Sequence, residues 1–362
     1  MVLLLIIRIF APMNSKMTPN ANRIIQFDVL RIIAALAVVL LHVSGQGFYD
    51  CYPSAEWDAR NFYNALVSWP VPIFVMISGA LFLDSRKQLD IKTLYTKNVT
   101  RVLIVFIAWS IIYAAYGGIG EKGVIGLVGR MIQGPIHFWF LKMLLGLYVA
   151  VPILRAIVAN RKLEEYFICL SLITAFFIPM LFPLIGYISD LASNYAEITF
   201  DEFGIRIASG YVGYFVLGHY LKENVLNDTV KKVIYCLGIL SVFPVYFLTD
   251  IITNRVGEPY LFLCGKINMF TLFEALALFI FIKDIQIAPR YHQVLISVSK
   301  LSLGIYIVHP LVMSIVFDLW GINSASWNPV CFIPVYAFLI FVASYVIVLV
   351  LSKIPFVKKI VM

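Results

Sequence analysis

The stretch VCFIPVYAFLIFVASYVIVLVL at residues 330–351 decides the class of fold, because it contains no charged side chain from end to end. A helix needs roughly 20 apolar residues to cross the bilayer core of about 30 Å. This stretch is long enough to do so. It therefore predicts a membrane-spanning helix.

Similar apolar segments recur through the rest of the chain, separated by short polar connections. The protein has 362 residues, of which 61% are hydrophobic and only 13% charged, a composition that no water-soluble fold could bury. We therefore predict an all-α, polytopic integral membrane protein with about ten transmembrane helices. The predicted spans lie near 27–45, 66–83, 101–117, 136–155, 166–187, 205–221, 231–250, 266–283, 301–319 and 330–351.

The basic residues indicate how these helices are oriented. The formal net charge is +8, but Lys and Arg concentrate in alternate connections, such as 84–101 and 353–359. Lys and Arg beside membrane helices are retained in the cytoplasm. Both termini are therefore predicted to be cytoplasmic, and the positive charge reflects topology rather than a nucleic-acid partner.

The chain divides into three parts on this plan. Its opening MVLLLII is too short to span a bilayer and lacks the charged lead of a signal peptide. We predict a cytoplasmic or interfacial segment at 1–22, a membrane domain at 23–354 and a basic cytoplasmic tail at 355–362. Met17 is an alternative start of the chain.

The five cysteines are scattered without CxxC or CxxH spacing. This pattern argues against a zinc site and against a disulfide framework, so no metal site is predicted. A single disulfide between Cys51 and Cys264 is the alternative.

The first predicted helix, DVLRIIAALAVVLLH at residues 28–42, carries three polar side chains. Asp28 and Arg31 are neighbours on one helix surface and can pair. Arg31 and His42 share a face roughly 16 Å apart along the axis. Each has a simple explanation alone, since Arg31 can extend to the interface and His42 can end the helix at the headgroups. Together they suit phosphate recognition and proton transfer.

Two basic residues and two small residues lie near the predicted inner side. In FVMISGALFL, Ser78 and Gly79 interrupt an apolar run, which indicates either close helix packing or backbone exposed to a ligand. Lys97 and Arg101 lie four residues apart where the third helix starts. They are either topology signals or phosphate ligands for a cytoplasmic donor.

The later helices hold further ionisable groups at membrane depth, where an unpaired charge is costly. His137 is expected at the same level as His42. Lys142 lies deeper and needs a partner, for which Glu274 is one possibility.

Tyr306 and His309 lie three residues apart on one face of the ninth predicted helix. Pro310 follows and can loosen the backbone there. A buried histidine bonded to a neighbouring carbonyl group is the simpler explanation of His309.

These motifs, in this order, resemble the membrane acyltransferase 3 family, multi-spanning bacterial enzymes that O-acylate surface polysaccharides and related envelope molecules. The most specific match is Arg31 followed by ten residues and His42. The resemblance extends over residues 23–354 and is nearest to stand-alone members such as enterobacterial common antigen O-acetyltransferases. Where relatives often have a second Arg before the third helix, this chain has Lys97. The other matches are FVMISGALFL, the segment from Lys97 to Arg101, HFWFLKMLLGLYVAVPIL, YVGYFVLGHYL and LSLGIYIVHPLV.

The resemblance implies an O-acyltransferase, in the simplest case an O-acetyltransferase, in the bacterial cytoplasmic (inner) membrane. It would move an acyl group from cytoplasmic acetyl-CoA or another acyl-CoA to a hydroxyl group of an exported glycan, a lipid-linked sugar or another envelope acceptor, with no permanently bound cofactor. His42 would be the general base, or else form a covalent acyl intermediate, and Asp28, Arg31, His137 and His309 would complete the catalytic set. The donor would contact Arg31, Lys97, Arg101, Ser78, Gly79 and Tyr306.

Two other classes of function fit the same intramembrane groups. Ionisable residues at membrane depth also build the proton relays and substrate paths of transporters. A transporter or flippase for an envelope precursor is therefore the alternative, although the motifs show no internal two-fold repeat. A non-catalytic scaffold in an envelope assembly is a third.

Overall fold

The computed structural model describes residues 23–86, 90–118, 123–205 and 208–361. The N-terminal segment predicted at 1–22, with the alternative start at Met17, lies outside the described residues. Met362, the last residue of the predicted basic tail, also lies outside them. The rest of that tail includes the short helix Pro355–Val361.

The described residues form α-helices joined by short connections, and they contain no β-strand. A turn of helix at Ile91–Thr93 and a π-helical segment at Leu94–Val99 lead directly into α4. In chain order the helices are α1 (Ile25–Gly45), α2 (Ala55–Leu66), α3 (Pro70–Phe82), α4 (Thr100–Tyr116), α5 (Gly123–Gln133), α6 (Trp139–Val158), α7 (Arg161–Ser171), α8 (Ile178–Ile188), α9 (Asp190–Glu202), α10 (Val212–Glu223), α11 (Asp228–Val256), α12 (Met269–Asp284), α13 (His292–Lys300), α14 (Ser302–Trp320), α15 (Pro329–Leu351) and α16 (Pro355–Val361).

Eight helical segments of the described chain are long and apolar enough to cross a membrane. They coincide with eight of the ten predicted spans, which confirms the all-α, multi-pass class of the protein. The other two predicted spans, 205–221 and 266–283, correspond to α10, with 12 residues, and α12, with 16 residues. Both are shorter than the roughly 20 residues that a full crossing needs. Ten crossings and two cytoplasmic termini therefore remain predictions.

Apolar side chains face outward on the peripheral helices. Ile104, Ile107 and Ile111 of α4 and Ile239 of α11 are exposed. Such surfaces suit lipid chains, because a bilayer core offers no water to polar groups. The outer face of the bundle is therefore built for a membrane.

Helix α1 lies at the centre of the bundle and packs against α3, α13, α14 and α15. Leu30, Ala34 and Val39 have no exposed surface. Because protein surrounds this helix, its polar side chains face neighbouring helices instead of lipid. This position is what allows ionisable residues to be retained at membrane depth.

Two glycines bring α3 and α10 into backbone contact. A Cβ atom on Gly79 would lie 1.8 Å from the carbonyl oxygen of Phe215, and one on Gly218 would lie 2.0 Å from that of Met76. No side chain fits at these distances. Small residues allow membrane helices to approach this closely.

A charged cluster joins three helices at the basic end of the bundle. The Asp84 carboxylate, just after α3, accepts hydrogen bonds from Arg86 at 2.9 Å and from Lys222 of α10 at 2.5 Å. Arg155 of α6 donates to the Asp84 carbonyl oxygen at 2.7 Å. Burial would raise the pKa of Asp84, but the hydrogen bonds from Arg86 and Lys222 outweigh it and hold the pKa below its usual range.

The alternative disulfide is not formed. Cys51 and Cys264 are both free thiols. The Sγ atom of Cys264 lies 3.7 Å from the hydroxyl oxygen of Thr249. The Sγ atom of Cys51 instead lies 3.8 Å from the carbonyl oxygen of Phe48. The proposed pairing is therefore wrong for this structure.

Candidate active site

Three histidines from distant parts of the chain meet inside the bundle. His42 lies in the last turn of α1, His137 in the 3₁₀ turn Ile136–Phe138 that leads into α6, and His309 in α14. The ring centroid of His42 lies 5.0 Å from that of His309 and 6.2 Å from that of His137. The rings of His137 and His309 are 6.1 Å apart. The structure thus brings together all three histidines named from the sequence.

The three rings differ in exposure. His309 is fully buried, His137 is 3% exposed and His42 is partly exposed. The Nδ1 atom of His309 lies 3.1 Å from the carbonyl oxygen of Ile305 in its own helix. The Nε2 atoms of His137 and His309 have no hydrogen-bond partner among the described residues. Buried polar atoms normally have one, so these nitrogens can receive a substrate group or a water molecule.

The other two histidines lie elsewhere. His219 contacts Glu164 at 2.7 Å, and His292 lies 3.0 Å from the carbonyl oxygen of Ile287. Within the described parts of the chain, no group of three or more His, Cys, Asp or Glu side chains has the arrangement of a metal site. Neutral imidazole rings such as those of His42, His137 and His309 can accept protons and form hydrogen bonds.

Tyr306 connects two of these histidines. Its ring centroid lies 5.9 Å from that of His137 and 6.1 Å from that of His309. Its hydroxyl donates a hydrogen bond to the carbonyl oxygen of His137. This bond ties the turn before α6 to α14, and so it fixes the spacing of the histidines on those two elements.

The side chain of Tyr113 in α4 bridges two backbone groups of α14. Tyr113 was not among the residues predicted from the sequence. Pro310 has no N–H group and loosens the helix around it. The Tyr113 hydroxyl donates to the carbonyl oxygen of Ile307 at 2.7 Å and accepts from the Leu311 N–H at 3.1 Å. A regular helix joins those two backbone groups directly, so the hydroxyl is inserted between them. The sequence feature that could have identified Tyr113 is its hydroxyl group within an apolar span, because such a group needs a hydrogen-bond partner.

A cavity of about 200 Å³ lies between α1, α3, α4, α6 and α14. Two cations and several aromatic rings line it, so it combines an anion-binding region with an apolar one. The lining residues are Arg31, Phe74, Ser78, Leu81, Phe82, Asn98, Arg101, Val102, Phe140, Leu144, Tyr148, Ser302, Leu303 and Tyr306.

The cavity runs from the basic end of the bundle toward the histidines. Arg31 and Arg101 lie near the ends of α1 and α4 that face the basic connections. Phe140 and Tyr306 line the other part of the cavity, with their ring centroids 5.3 Å apart. Since Tyr306 also contacts His137 and His309, one side chain joins the cavity to the histidine cluster.

Asp28 orients Arg31 as the sequence spacing indicated. Its carboxylate is fully buried and accepts two hydrogen bonds from Arg23, at 2.7 and 2.6 Å, and one from Ser299 at 2.6 Å. Its contact with Arg31 is longer, at 3.4 Å. Because a guanidinium group has five N–H donors, Arg31 retains donors for a ligand in the cavity.

Two residues predicted to contact the donor do not line the cavity. Gly79 packs against the backbone of Phe215 instead. Lys97 is exposed on the π-helical segment before α4, and its neighbour Asn98 lines the cavity. A π-helical turn holds more residues than an α-helical turn. Of these two basic residues, Arg101 lines the cavity and Lys97 does not.

Lys142 and Glu274 do not form the pair considered from the sequence. Lys142 is exposed and donates to the carbonyl oxygen of Gln133 at 3.2 Å. Glu274 is 6% exposed, and neither of its carboxyl oxygens has a hydrogen-bond partner among the described residues.

A family model described as an acyltransferase domain matches residues 24–349. The chain belongs to the acyltransferase 3 family. The family model covers nearly the whole length of this acyltransferase. The match confirms the resemblance based on the motifs. Family membership decides in favour of an enzyme, against the transporter and scaffold alternatives.

The comparisons of this acyltransferase with curated proteins and with solved structures find no match. Its resemblance to a particular subgroup therefore remains a prediction. With eight candidate membrane-spanning segments and the family match together, the protein is a multi-pass membrane acyltransferase.

Proposed function

We propose that this acyltransferase moves an acyl group, in the simplest case acetyl, from acyl-CoA to a hydroxyl group of an exported glycan or another cell-envelope acceptor. The observation that carries the proposal is one cavity that has arginines in one part and, in the other, a tyrosine that contacts two of the three clustered histidines. That arrangement suits a long donor with an anionic end and a reactive thioester end.

The donor's phosphate groups would bind near Arg31 and Arg101. Arginine recognises phosphate through charge-assisted, often bidentate hydrogen bonds. Asn98 and Ser78 add polar groups along the cavity, and Phe74 gives it an apolar wall. The slender pantetheine arm would follow this path, which brings the thioester to Tyr306.

His42 would carry out proton transfer at the end of the donor site that lies away from Arg31 and Arg101. We assign His42 as the general base because it is the only partly exposed ring of the cluster, whereas His137 and His309 are buried. Its ring takes the proton of the acceptor hydroxyl as that oxygen attacks the thioester carbonyl carbon. The carbon–sulfur bond then breaks, and the proton passes to the departing thiolate of CoA.

The two buried histidines and Tyr306 would hold this arrangement in place. The free Nε2 atoms of His137 and His309 can bind the acceptor or stabilise the charged form of His42. The Tyr306 hydroxyl is already committed to the His137 carbonyl oxygen, so it positions rather than reacts. An acyl group carried covalently on His42 is the alternative course of the same transfer.

The orientation of the bundle supports a reaction across the membrane. The charge pattern predicts that the basic end, with Arg31 and Arg101, faces the cytoplasm, where acyl-CoA is made. The histidines lie toward the opposite end, where an exported glycan or lipid-linked sugar is reached. We therefore propose the bacterial cytoplasmic membrane as the location of the enzyme.

The test is turnover of labelled acetyl-CoA by detergent-solubilised protein and by membrane vesicles that supply the natural acceptor. We expect wild type to release CoA, and His42→Ala to lower the rate by roughly 10²–10⁴-fold, as expected for loss of a general base. Arg31→Ala should raise the half-saturating acetyl-CoA concentration roughly 10- to 100-fold, because it removes charge-assisted hydrogen bonds.

His292→Ala is the matched control, since His292 lies outside the cluster and contacts only a loop carbonyl group. It should turn over acetyl-CoA like wild type. Full activity in His42→Ala would exclude this residue as the base. Absence of both binding and turnover of acyl-CoA in wild type would exclude the proposed donor.

A further inference from the structure

We propose that a second cavity, next to Arg60, binds an anionic group of the acceptor, a carboxylate or a phosphate, and so holds the acceptor hydroxyl beside His42. This inference rests on the proposed function and deepens it, because it names the chemical class of the acceptor. The cavity lies at the end of α1 opposite to Arg31. None of its residues belongs to the motifs quoted from the sequence.

Arg60 of α2 is a buried cation whose partners are uncharged. Only 1% of its surface is exposed. Its Nη1 atom donates to the carbonyl oxygen of Gln46 and, at 2.6 Å, to the hydroxyl oxygen of Ser324. The same atom lies 3.5 Å from the carbonyl oxygen of Ser44. Burying a charge is costly unless an opposite charge accompanies it. An anion at this place would therefore stabilise the guanidinium group.

The guanidinium group of Arg60 retains donors for such an anion. It has five N–H donors, and all of the hydrogen bonds above use Nη1. The Nε atom is buried and has no hydrogen-bond partner among the described residues. Buried polar atoms normally have one. Stabilising the carbonyl end of α1 explains Nη1, but it leaves the rest of the group free to bind a ligand.

The cavity beside Arg60 is small and polar. Its volume is about 240 Å³, and it lies between the α1–α2 connection, α14 and the α14–α15 connection. Sites for whole drug-sized ligands measure roughly 300–1,000 Å³, so this one suits a single charged group of a larger molecule. Of the described residues that line it, none is acidic, and the amides of Gln46 and Asn323 add polar groups. The lining therefore favours an anion.

Hydrogen bonds hold the walls of this cavity in place. The Ser324 N–H donates to the side-chain oxygen of Gln46 at 3.3 Å, which ties the α14–α15 connection to the end of α1. The Asn323 side chain accepts from the Ala325 N–H at 2.8 Å, and the Asn323 N–H donates to the Ser326 hydroxyl at 2.9 Å. A site that is formed before its ligand arrives loses less entropy on binding.

The position of the cavity relates it to the histidine cluster. Ser44, whose carbonyl oxygen lies 3.5 Å from Arg60, follows His42 by two residues, or about 3 Å along α1. Phe317, which lines the cavity, follows His309 by eight residues, or about 12 Å along α14. Both helices run away from the basic end of the bundle. The cavity is therefore on the side from which the proposed acceptor arrives, with the His42 ring between it and the donor site.

Ser324→Asp tests the site by filling it with a carboxylate of the protein itself. The new carboxylate would pair with Arg60 and displace the anion of the acceptor, while the bonds from Arg60 to α1 remain. We expect transfer of labelled acetyl groups to the acceptor in membrane vesicles to fall roughly 10- to 100-fold at limiting acceptor, as for loss of a hydrogen bond to a charged group. The half-saturating acetyl-CoA concentration should stay unchanged, because Arg31 and Arg101 lie at the other end of the bundle.

Two further variants isolate the effect of the charge. Ser324→Asn introduces a side chain of the same size without the charge, and it should transfer roughly 10-fold faster than Ser324→Asp or more. Ser326→Asp is the matched control, because it adds the same charge to the same connection at an exposed residue outside the cavity. It should behave like wild type. Equal transfer by Ser324→Asp and Ser324→Asn, at equal protein level, would overturn the proposal.

If Ser324→Asp does not accumulate in the membrane, Ala325→Asp and Ala325→Asn replace the pair. Ala325 is an exposed residue that also lines the cavity, so either side chain can be accommodated there. The expected order of transfer rates is the same, with the aspartate variant slower. Equal rates in this pair would again overturn the site.

The kind of anion is identified with two probes, inorganic phosphate and glucuronate, added to the detergent-solubilised protein. We expect at least one of them to raise the melting temperature of wild type and of Ser326→Asp more than that of Ser324→Asp. A larger effect of phosphate indicates an acceptor that carries phosphate, such as a lipid-linked sugar, and a larger effect of glucuronate indicates an acidic glycan. If neither probe distinguishes wild type from Ser324→Asp, there is no anion site at Arg60.

The outcomes separate this inference from the proposed function. If wild type turns over acetyl-CoA, His42→Ala does not, and Ser324→Asp transfers like wild type, only the acceptor site is overturned. A rise in half-saturating acetyl-CoA in Ser324→Asp would also overturn it, because the substitution would then act on the donor. If wild type shows no turnover at all, the proposed function fails, and the melting temperatures with phosphate and glucuronate still test the site.

Discussion

The histidine cluster combines one accessible ring with two buried ones. His42 is partly exposed, while His137 and His309 are enclosed and have free Nε2 atoms. Buried polar atoms without partners raise the energy of the resting protein, and they do so where a ligand can relieve the cost. The cluster is therefore better suited to bind and exchange protons with a substrate than to stabilise the empty protein.

At the same scale, Tyr113 gives a prediction about stability. Tyr113→Phe removes the hydroxyl between the Ile307 carbonyl and the Leu311 N–H and leaves both groups without that partner. We expect a loss of about 1–3 kcal/mol in unfolding free energy, the usual cost of a buried group without its hydrogen bond. Because His309 lies in the same turn, the maximal rate of acetyl-CoA turnover should also fall.

The measurement is thermal unfolding of the detergent-solubilised protein, together with turnover. Tyr116→Phe is the control, since Tyr116 bonds to Asp318 at the exposed surface. Equal melting temperatures for Tyr113→Phe and wild type would contradict this prediction, because they would show that the Ile307 carbonyl and the Leu311 N–H do not need the hydroxyl group.

At the scale of helices, the crossing of α3 and α10 is set by glycine rather than by side-chain packing. Gly79 and Gly218 lie where each helix meets the backbone of the other. Ser78, next to Gly79, lines the cavity. The same crossing therefore determines how closely α3 approaches the cavity.

Gly79→Ala tests this crossing. The added methyl group would lie 1.8 Å from the Phe215 carbonyl oxygen, which is backbone and cannot rotate away. We expect a loss of about 1–3 kcal/mol, as for overpacking in a well-packed core. The observable is the melting temperature and the fraction of protein that remains monodisperse in detergent.

Gly146→Ala is the matched control in α6, where nothing lies within 4 Å of the added methyl group. Alanine favours a helix over glycine, so this variant should be as stable as wild type or slightly more so. If the two variants behave alike, the close approach of α3 and α10 is not required for stability.

At the scale of the whole molecule, the charged cluster around Asp84 links α3, α6 and α10 at the basic end. The pKa of the Asp84 carboxyl group lies below the usual value for an aspartate. The folded protein therefore favours the ionised carboxylate more than the unfolded chain does. The resulting stabilisation is fully present above an unfolded pKa of about 3.9. It is lost progressively as the pH falls below that value toward the lower folded pKa.

We therefore expect Asp84→Asn to lower the melting temperature at neutral pH and to narrow its difference from wild type as the pH falls below about 4. Thermal unfolding of both proteins across this range measures it. Glu258→Gln, an exposed loop change, is the control and should leave the curve unaltered. A difference between Asp84→Asn and wild type that grows on acidification would contradict the assigned direction of the pKa.

The proposed function also gives the whole bundle a direction. Arginines line the cavity near the basic connections, and the histidines lie toward the other end of the same helices. On that proposal, a donor made in the cytoplasm and an acceptor already exported meet within one protein. A bundle that spans the membrane would let both reach one thioester carbonyl group.

Much of the architecture and part of the site follow from local sequence. The length of each apolar run against the bilayer thickness predicts the spans, and helical spacing places Asp28 next to Arg31. Four of the residues expected to bind the donor, Arg31, Ser78, Arg101 and Tyr306, line one cavity. The predicted spans and the Asp28–Arg31 neighbourhood agree with the structure because burial in lipid and helical periodicity depend on residues close together in the chain, whereas donor binding by the cavity residues stays a prediction.

Other features depend on contacts between distant segments. Residues far apart in sequence meet in the cluster of His42, His137 and His309 and where the Tyr113 hydroxyl enters α14. The π-helical turn that displaces Lys97 and the packing of Gly79 on Phe215 likewise arise from how the helices fit together.

By itself the sequence determined that the chain is a multi-pass helical membrane protein, which family it resembles, and which ionisable groups lie at membrane depth. The tertiary structure decided which of those groups meet and which residues line the cavity. The physical reason is that transfer of a segment into lipid is a property of that segment alone. The pairing of buried polar groups depends instead on the packing of every helix around them.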